Sequence, residues 1–350
     1  MNAPLAQDAV APGRADPPAP APAQPGSPAP LSTVETESGW RAAARRAAQV
    51  AAQHADSVDR EARFPAEAFA ALRAERLLSA MISTEFGGAG LPLADIATIC
   101  EILGQSCAST AMVYAMHQIQ VACIEEHGTA LAWQRDVLAQ IVGRQWLLAS
   151  ATSEETIGGN MRTSACAVEV EGERFRIEKL APTISYGAHA DGILVTARRT
   201  AESPASDQVL IVALNEGIAL EKRGSWDSMG MRGTCSEGFR LVASGVTAQI
   251  LPTPFAEIAD QTMLPVSHTL WAAVWTGIAT DAVNRAKAFF RAQARGKPGF
   301  VPPCGPRLAE AVGLLQMMQS RLSVALDAAR VARRASHGTQ QDDAPLSAML

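Results

Sequence analysis

WLLASATSEETIGGNMRTSACAVEVEGERFRIEKLAPTISYGAHADGILVTA, residues 146–197, is the stretch in which the pattern of this chain changes. Within it Trp146–Ala151, Ala165–Val170, Arg174–Glu178 and Gly192–Ala197 are short runs of strand-like composition or alternation. Further on, Gln208–Leu214, Ile218–Lys222 and Gly238–Val242 read the same way. Turn residues fall between them, as in Glu171-Gly172-Glu173 and Asn215-Glu216-Gly217. Short strands at regular spacing predict a compact β-barrel or sandwich.

On either side the period is helical. Upstream, Arg41–Ala62, a segment opened by Phe64-Pro65, Pro92–Gln105, Ser109–His127 and Trp133–Ile141 carry apolar residues three and four apart. Pro65 suits a first-turn position, where its missing N–H costs nothing. Downstream, helices are predicted from Leu264 to about Gln293 and from about Arg307 to His337. Strands and helices do not alternate, which argues against a doubly wound nucleotide fold. The expected class is α+β, with an N-terminal helical domain (39–145), a central β-barrel or sandwich domain (146–255) and a C-terminal helical domain (256–350). The last is bundle-like but apparently incomplete. The first thirty residues hold nine of the chain's 21 prolines and no aromatic residue, so residues 1–38 are expected to form a disordered Pro/Ala-rich tail.

The whole chain is 48% hydrophobic and 19% charged, with a net charge of −5. No apolar run approaches the ~18 residues of a membrane span. No signal-peptide core is present at the N-terminus, and no basic block points to nucleic acid. A cytoplasmic location is therefore expected. Six scattered cysteines (100, 107, 123, 166, 235, 304) form no CxxC pair, so buried thiols are expected and no metal site. Glu85-Phe86-Gly87-Gly88-Ala89-Gly90 lacks both the P-loop lysine and the dinucleotide spacing, and reads as a tight turn between helices. Gly158-Gly159 follows a strand and Thr152-Ser153-Glu154, a place where bare backbone can approach a ligand.

Five motifs in order carry a resemblance. Glu85–Gly90, Met116-His117 with His127-Gly128-Thr129, Ala151–Asn160, Thr183–Gly187 with Ala190-Asp191, and Gly230–Ser236 together resemble the acyl-CoA dehydrogenase family of flavoproteins, from about Trp40 onward. The resemblance implies FAD as cofactor. It places the hydroxyls of Ser153 and Ser185 at the isoalloxazine edge, with the backbones of Thr152 and Ile184 facing the ring and Gly158 beside the phosphates. Gly159 stands where the family has a serine that contacts cofactor and substrate, and Thr183 where it has a flavin-packing tryptophan. Arg295, in Arg295-Gly296-Lys297-Pro298-Gly299, corresponds to an arginine that reaches the FAD diphosphate of a neighbouring subunit; Pro298 replaces a stacking phenylalanine there.

The implied activity is α,β-dehydrogenation of an acyl-CoA thioester with hydride transfer to flavin N5. An electron-transfer flavoprotein would accept the electrons, in a homodimer or homotetramer. That chemistry needs a carboxylate base on the substrate face opposite the flavin. The glutamate that most members carry, with the glycine-rich turn preceding it, has no counterpart up to Leu350. An alternative family position falls near Ser267-His268, leaving His268 as the candidate base, with Asp342 and Asp343 next. Two other readings stand beside dehydrogenation: a flavin monooxygenase on the same fold, and a family member without catalysis. The stripe Val312, Leu315, Met318, Leu322, Leu326 is expected to need a partner, because two helices make only half a bundle.

Overall fold

The computed structural model describes residues 37–157 and 160–338. The expected tail lies outside these residues apart from Glu37 and Ser38, which begin the first helix, and so do Gly158, Gly159, Asp342 and Asp343. Five helices come first: α1 (Glu37–Arg60), α2 (Ala66–Ala74), α3 (Leu93–Gly104), α4 (Ala108–His127) and α5 (Ala132–Arg144). Helix α1 buries Trp40, Ala44, Ala47, Ala51 and Val58, spaced three, four and seven apart. Its small residues let α2 and α3 approach closely, and Ala51, Val58, Ala68 and Cys107 meet in one cluster. Helix α4 is buried on nearly every face, so it is the central helix of this region.

The turn expected at Glu85–Gly90 is present. Gly87 has φ 85°, in the left-handed region that glycine enters without steric cost, and the Gly90 N–H closes the turn onto the Ile82 carbonyl at 2.8 Å.

Seven strands follow among the described residues: β1 (Leu148–Ala151), β2 (Glu169–Glu171), β3 (Arg174–Ala181), β4 (Gly192–Arg198), β5 (Gln208–Leu214), β6 (Ile218–Lys222) and β7 (Phe239–Val246). They form two sheets, ordered β1-β4-β5 and β2-β3-β7-β6. Strand β1 runs parallel to β4, and the remaining pairings are antiparallel. The nearly continuous apolar runs of β4 and β5 are buried along their length, whereas β3 alternates exposed and buried residues. The strand expected over Ala165–Val170 is shorter than its composition suggested. Only Glu169–Glu171 pairs fully, because residues 164–166 are bound to a buried carboxylate instead.

The chain then returns to helix: α6 (Phe255–Ile258), a π turn (Ala259–Met263), α7 (Leu264–Ala294) and α8 (Gly305–Gly338). Helix therefore begins nine residues before the predicted Leu264. The π turn lies just ahead of Pro265, whose ring and missing N–H disturb the ordinary ladder. Helix α7 packs on α3 and α4. At Gly277 a β-carbon would stand 2.4 Å from the Glu101 carbonyl oxygen, so only glycine allows this crossing.

Helix α8 lies on α7, and Leu315 and Leu322 of the predicted stripe are buried. The fold thus supplies a partner for that stripe. A second apolar set remains exposed: Trp275 and Phe289 on α7, and Leu314, Met317, Val324 and Val331 on α8. The architecture is a helical N-terminal region, β-sheets in the middle and C-terminal helices.

Candidate functional site

The ends of two strands meet beside a turn from a third region. Strand β1 stops at Ala151, and Thr152 and Ser153 follow it; β3 stops at Ala181, and Pro182–Ser185 follow it. Ser153 Oγ donates to the Thr183 carbonyl at 3.2 Å and lies 3.4 Å from Thr183 Oγ1. The structure therefore brings Ser153 into contact with Thr183, and Ile184 and Ser185 follow Thr183 in the chain. Behind them the Ile184 N–H donates to the Glu237 carbonyl at 2.8 Å, and the Tyr186 N–H donates to the Thr234 carbonyl at 2.7 Å. Between these two, the Ser185 N–H makes no backbone hydrogen bond among the described residues. Tyr186 is fully buried with φ 44°, and its hydroxyl donates to the Leu148 carbonyl at 2.8 Å. That bond ties the Ser185 segment back to β1.

Ser185 Oγ also lies 2.8 Å from Ser236 Oγ, and Ser236 Oγ lies 2.7 Å from Thr234 Oγ1. Thr234 Oγ1 donates to the Met231 carbonyl at 2.9 Å. Ser236 and Thr234 are buried, and the motif reading did not give them a role at the flavin. Their signal was present as hydroxyl residues alternating in Thr234-Cys235-Ser236.

The position of β1 depends on one buried group, His117, and one half-buried group, Asp191. His117 on α4 accepts from the Leu148 N–H through Nδ1 at 3.0 Å, and its Nε2–H donates to the Leu78 carbonyl at 2.7 Å. The ring is then neutral with its proton on Nε2. Burial pushes its pKa down from 6.5 to about 4, with a smaller contribution from the positive charge of Arg73. Asp191, of the Ala190-Asp191 motif, accepts from the Leu147 N–H at 2.7 Å and returns its own N–H to the Leu147 carbonyl at 2.8 Å. It pairs on its outer side with Arg73 at 3.4 Å.

Glu154 has a structural role that sequence reasoning missed. Its carboxylate accepts from Ser164 Oγ (2.9 Å), Ala165 N–H (3.1 Å) and Cys166 N–H (2.7 Å), with Lys179 Nζ 3.7 Å away. Lys179 is fully buried and donates to the carbonyl and hydroxyl of Thr196 at 2.6 and 2.9 Å. Burial lowers its pKa, and the charge of Glu154 opposes that shift. The clue was a lysine on the inward face of β3, in register with Phe175 and Ile177. The Glu154 carboxylate thereby fixes residues 164–166 beside Lys179.

Other candidates lie elsewhere. His268 on α7 is exposed, edge-on to Trp271 with ring centroids 6.3 Å apart, and has no hydrogen-bond partner among the described residues. Arg295 is exposed at the C-terminal end of α7 and forms no ion pair among the described residues. Thr183, in the tryptophan's place, is exposed; Thr152 is half-buried. A cleft of about 450 Å³ beyond the loop is lined by Met161, Arg162, Gln208, Phe255, Asp260 and Leu264, with Arg162 and Asp260 paired at 3.3 Å. Cys100, Cys107, Cys123 and Cys166 are buried; Cys235 and Cys304 are half-buried.

Residues 34–144 match the family model described as acyl-CoA dehydrogenase, N-terminal domain. FMN-bound TdsC from Paenibacillus sp. A11-2 is similar with a TM-score of 0.72 and 20% identity, over 83% of this chain and 75% of that one. Butyryl-CoA dehydrogenase from Megasphaera elsdenii is similar with a TM-score of 0.70 and 18% identity, over 87% of this chain and 80% of that one. Methanesulfinate monooxygenase MsuC from Pseudomonas fluorescens gives a TM-score of 0.69 and 15% identity, over 83% and 76%. No curated protein sequence shows significant similarity to the chain. At these identities the likeness establishes a shared fold, which hosts both dehydrogenases and monooxygenases.

Proposed function

Starting from an acyl-CoA dehydrogenase fold with that family's N-terminal domain at residues 34–144, we propose that this chain binds a flavin at the junction of residues 152–153 and 183–185. In this reading it is a flavin-dependent oxidoreductase of the monooxygenase type, in which oxygen meets the reduced ring. The polar set suits such a group: two half-buried hydroxyl oxygens, a free Ser185 N–H and no charged side chain in hydrogen-bond contact with them among the described residues. A flavin edge presents neutral donors and acceptors of the same kind. When bound, the flavin supplies the two-electron chemistry that these side chains lack.

The chain's own residues hold and shape the site. Ser153 and Ser185 present hydroxyls to the ring edge. Tyr186 and His117 anchor the two segments that carry them to β1 and α4. Glu154, with Lys179 beside it, holds residues 164–166 in place next to the site. FAD is the proposed form, with the exposed Arg295 proposed to reach the diphosphate of a neighbouring subunit's cofactor. The exposed row from Trp275 to Val331 is proposed to be covered by a second copy of the chain.

The similarity to methanesulfinate monooxygenase MsuC favours oxygen over an acyl thioester, and His268 accords with it. A base that removes an α-proton must be held in one orientation. The one base candidate within the described residues is exposed and carries no orienting hydrogen bond. A reaction of reduced flavin with oxygen needs no such base. The family match at residues 34–144 and the similarity to butyryl-CoA dehydrogenase favour the second reading, α,β-dehydrogenation of an acyl-CoA.

One experiment separates the readings. The purified protein's cofactor is released and identified by mass spectrometry, with FAD expected and FMN as the other outcome. The holoprotein is then titrated anaerobically with butyryl-CoA and, separately, reduced by a flavin reductase and exposed to oxygen. Oxygen uptake with an oxygenated product, and no bleaching by the thioester, supports the proposal. Bleaching by butyryl-CoA overturns it in favour of dehydrogenation, and a colourless protein that takes up no flavin overturns both.

A further inference from the structure

The three buried and half-buried hydroxyls behind the site form a chain with a fixed direction. Each hydroxyl carries one proton. Thr234 uses its proton on the Met231 carbonyl, which can only accept. At 2.7 Å the contact between Thr234 and Ser236 must then be made with the proton of Ser236. At 2.8 Å the contact between Ser236 and Ser185 must in turn be made with the proton of Ser185. The opposite direction would set two lone pairs against each other at one of these contacts, in a setting where Ser236 and Thr234 are buried and water cannot compensate. Ser185 Oγ therefore turns only lone pairs outward. Ser153 has the same polarity, since its proton is directed to the Thr183 carbonyl.

We infer that Ser236, with Thr234 behind it, is a positioning residue that makes Ser185 a hydrogen-bond acceptor, so that the site favours reduced over oxidised flavin. This rests on the flavin reading above. The edge of an oxidised flavin at N5 and the neighbouring carbonyl only accepts, so an acceptor hydroxyl gains nothing from it. The reduced ring carries a proton on N5 and can donate to Ser185 Oγ. The preference comes from the direction of a buried relay and not from the identity of Ser185 itself. A serine with a free proton at the same place would turn to donate and would favour the oxidised form.

The test measures anaerobic binding of FAD and FMN, each oxidised and dithionite-reduced, by calorimetry, together with the potential of the bound flavin. One net hydrogen bond corresponds to roughly 3–10-fold in affinity. The wild type is expected to bind the reduced form more tightly by about that factor. Ser236→Ala frees the Ser185 proton and should abolish or reverse the preference and lower the potential, while Ser236→Thr retains the hydroxyl and should restore both. Thr234→Val breaks the relay one step further back, with the same expected loss, and serves if Ser236→Ala does not fold. A wild type that prefers oxidised flavin, or a ratio unchanged in both relay variants, overturns the inference and leaves the flavin site standing. Binding of neither redox state overturns the flavin reading and this inference with it.

Discussion

His117 makes the stability of the β1 anchor depend on pH, and the size of the effect follows from its surroundings. The ring is fully buried, accepts from Leu148 N–H and donates to the Leu78 carbonyl, and its pKa is pushed down to about 4. In the unfolded chain the group returns to its ordinary 6.5. Between these values the unfolded state binds a proton that the folded state does not, so stability rises with pH through this window and is lost as pH falls. From pH 7.5 to pH 5 the loss from this one group is about 2 kcal/mol, and over the whole window about 3 kcal/mol. His117→Gln removes the titration and keeps part of the hydrogen bonding, at a cost of ~1–3 kcal/mol at pH 7.5 for the partner left unmade. The assay is urea unfolding of both proteins at pH 7.5 and pH 5, followed by tryptophan fluorescence. His127 and His189, whose pKa values burial also lowers, are present in both proteins and cancel in the difference. The stability gap between wild type and variant should narrow by about 2 kcal/mol at pH 5. A gap that stays constant would refute the buried neutral assignment.

Two further outcomes are expected. Glu154→Gln leaves the buried Lys179 ammonium without a counter-charge and should cost ~3–5 kcal/mol in urea unfolding. Adding Lys179→Met should recover much of that loss, and a double variant as unstable as the single one would show that the pair is not coupled. Leu314→Glu with Met317→Glu places charge on the exposed face of α8 and should convert an oligomer into monomers without loss of helix. Light scattering after size exclusion checks this, and an unchanged molar mass would remove that face from the interface.

Sequence period alone determined the order of elements here. The strands Gln208–Leu214 and Ile218–Lys222 were read to the residue, because alternation is a property of adjacent residues. The turn at Glu85–Gly90 was legible for the same reason: glycine at positive φ is a local requirement. Ser153, Thr183 and Ser185 were legible as a group only through their motifs, since nothing local brings residue 153 beside residue 183. Tertiary structure decided what each polar group does. It turned Glu154 toward Cys166 and Lys179, set His117 under Leu148, and placed Ser236 behind Ser185. Each of these is a hydrogen bond or ion pair between residues 12 to 51 positions apart, and periodicity within one segment does not specify a partner at that distance. The period of α8 named the stripe that is buried, but that α7 covers it was settled only by packing, because a stripe does not specify its partner.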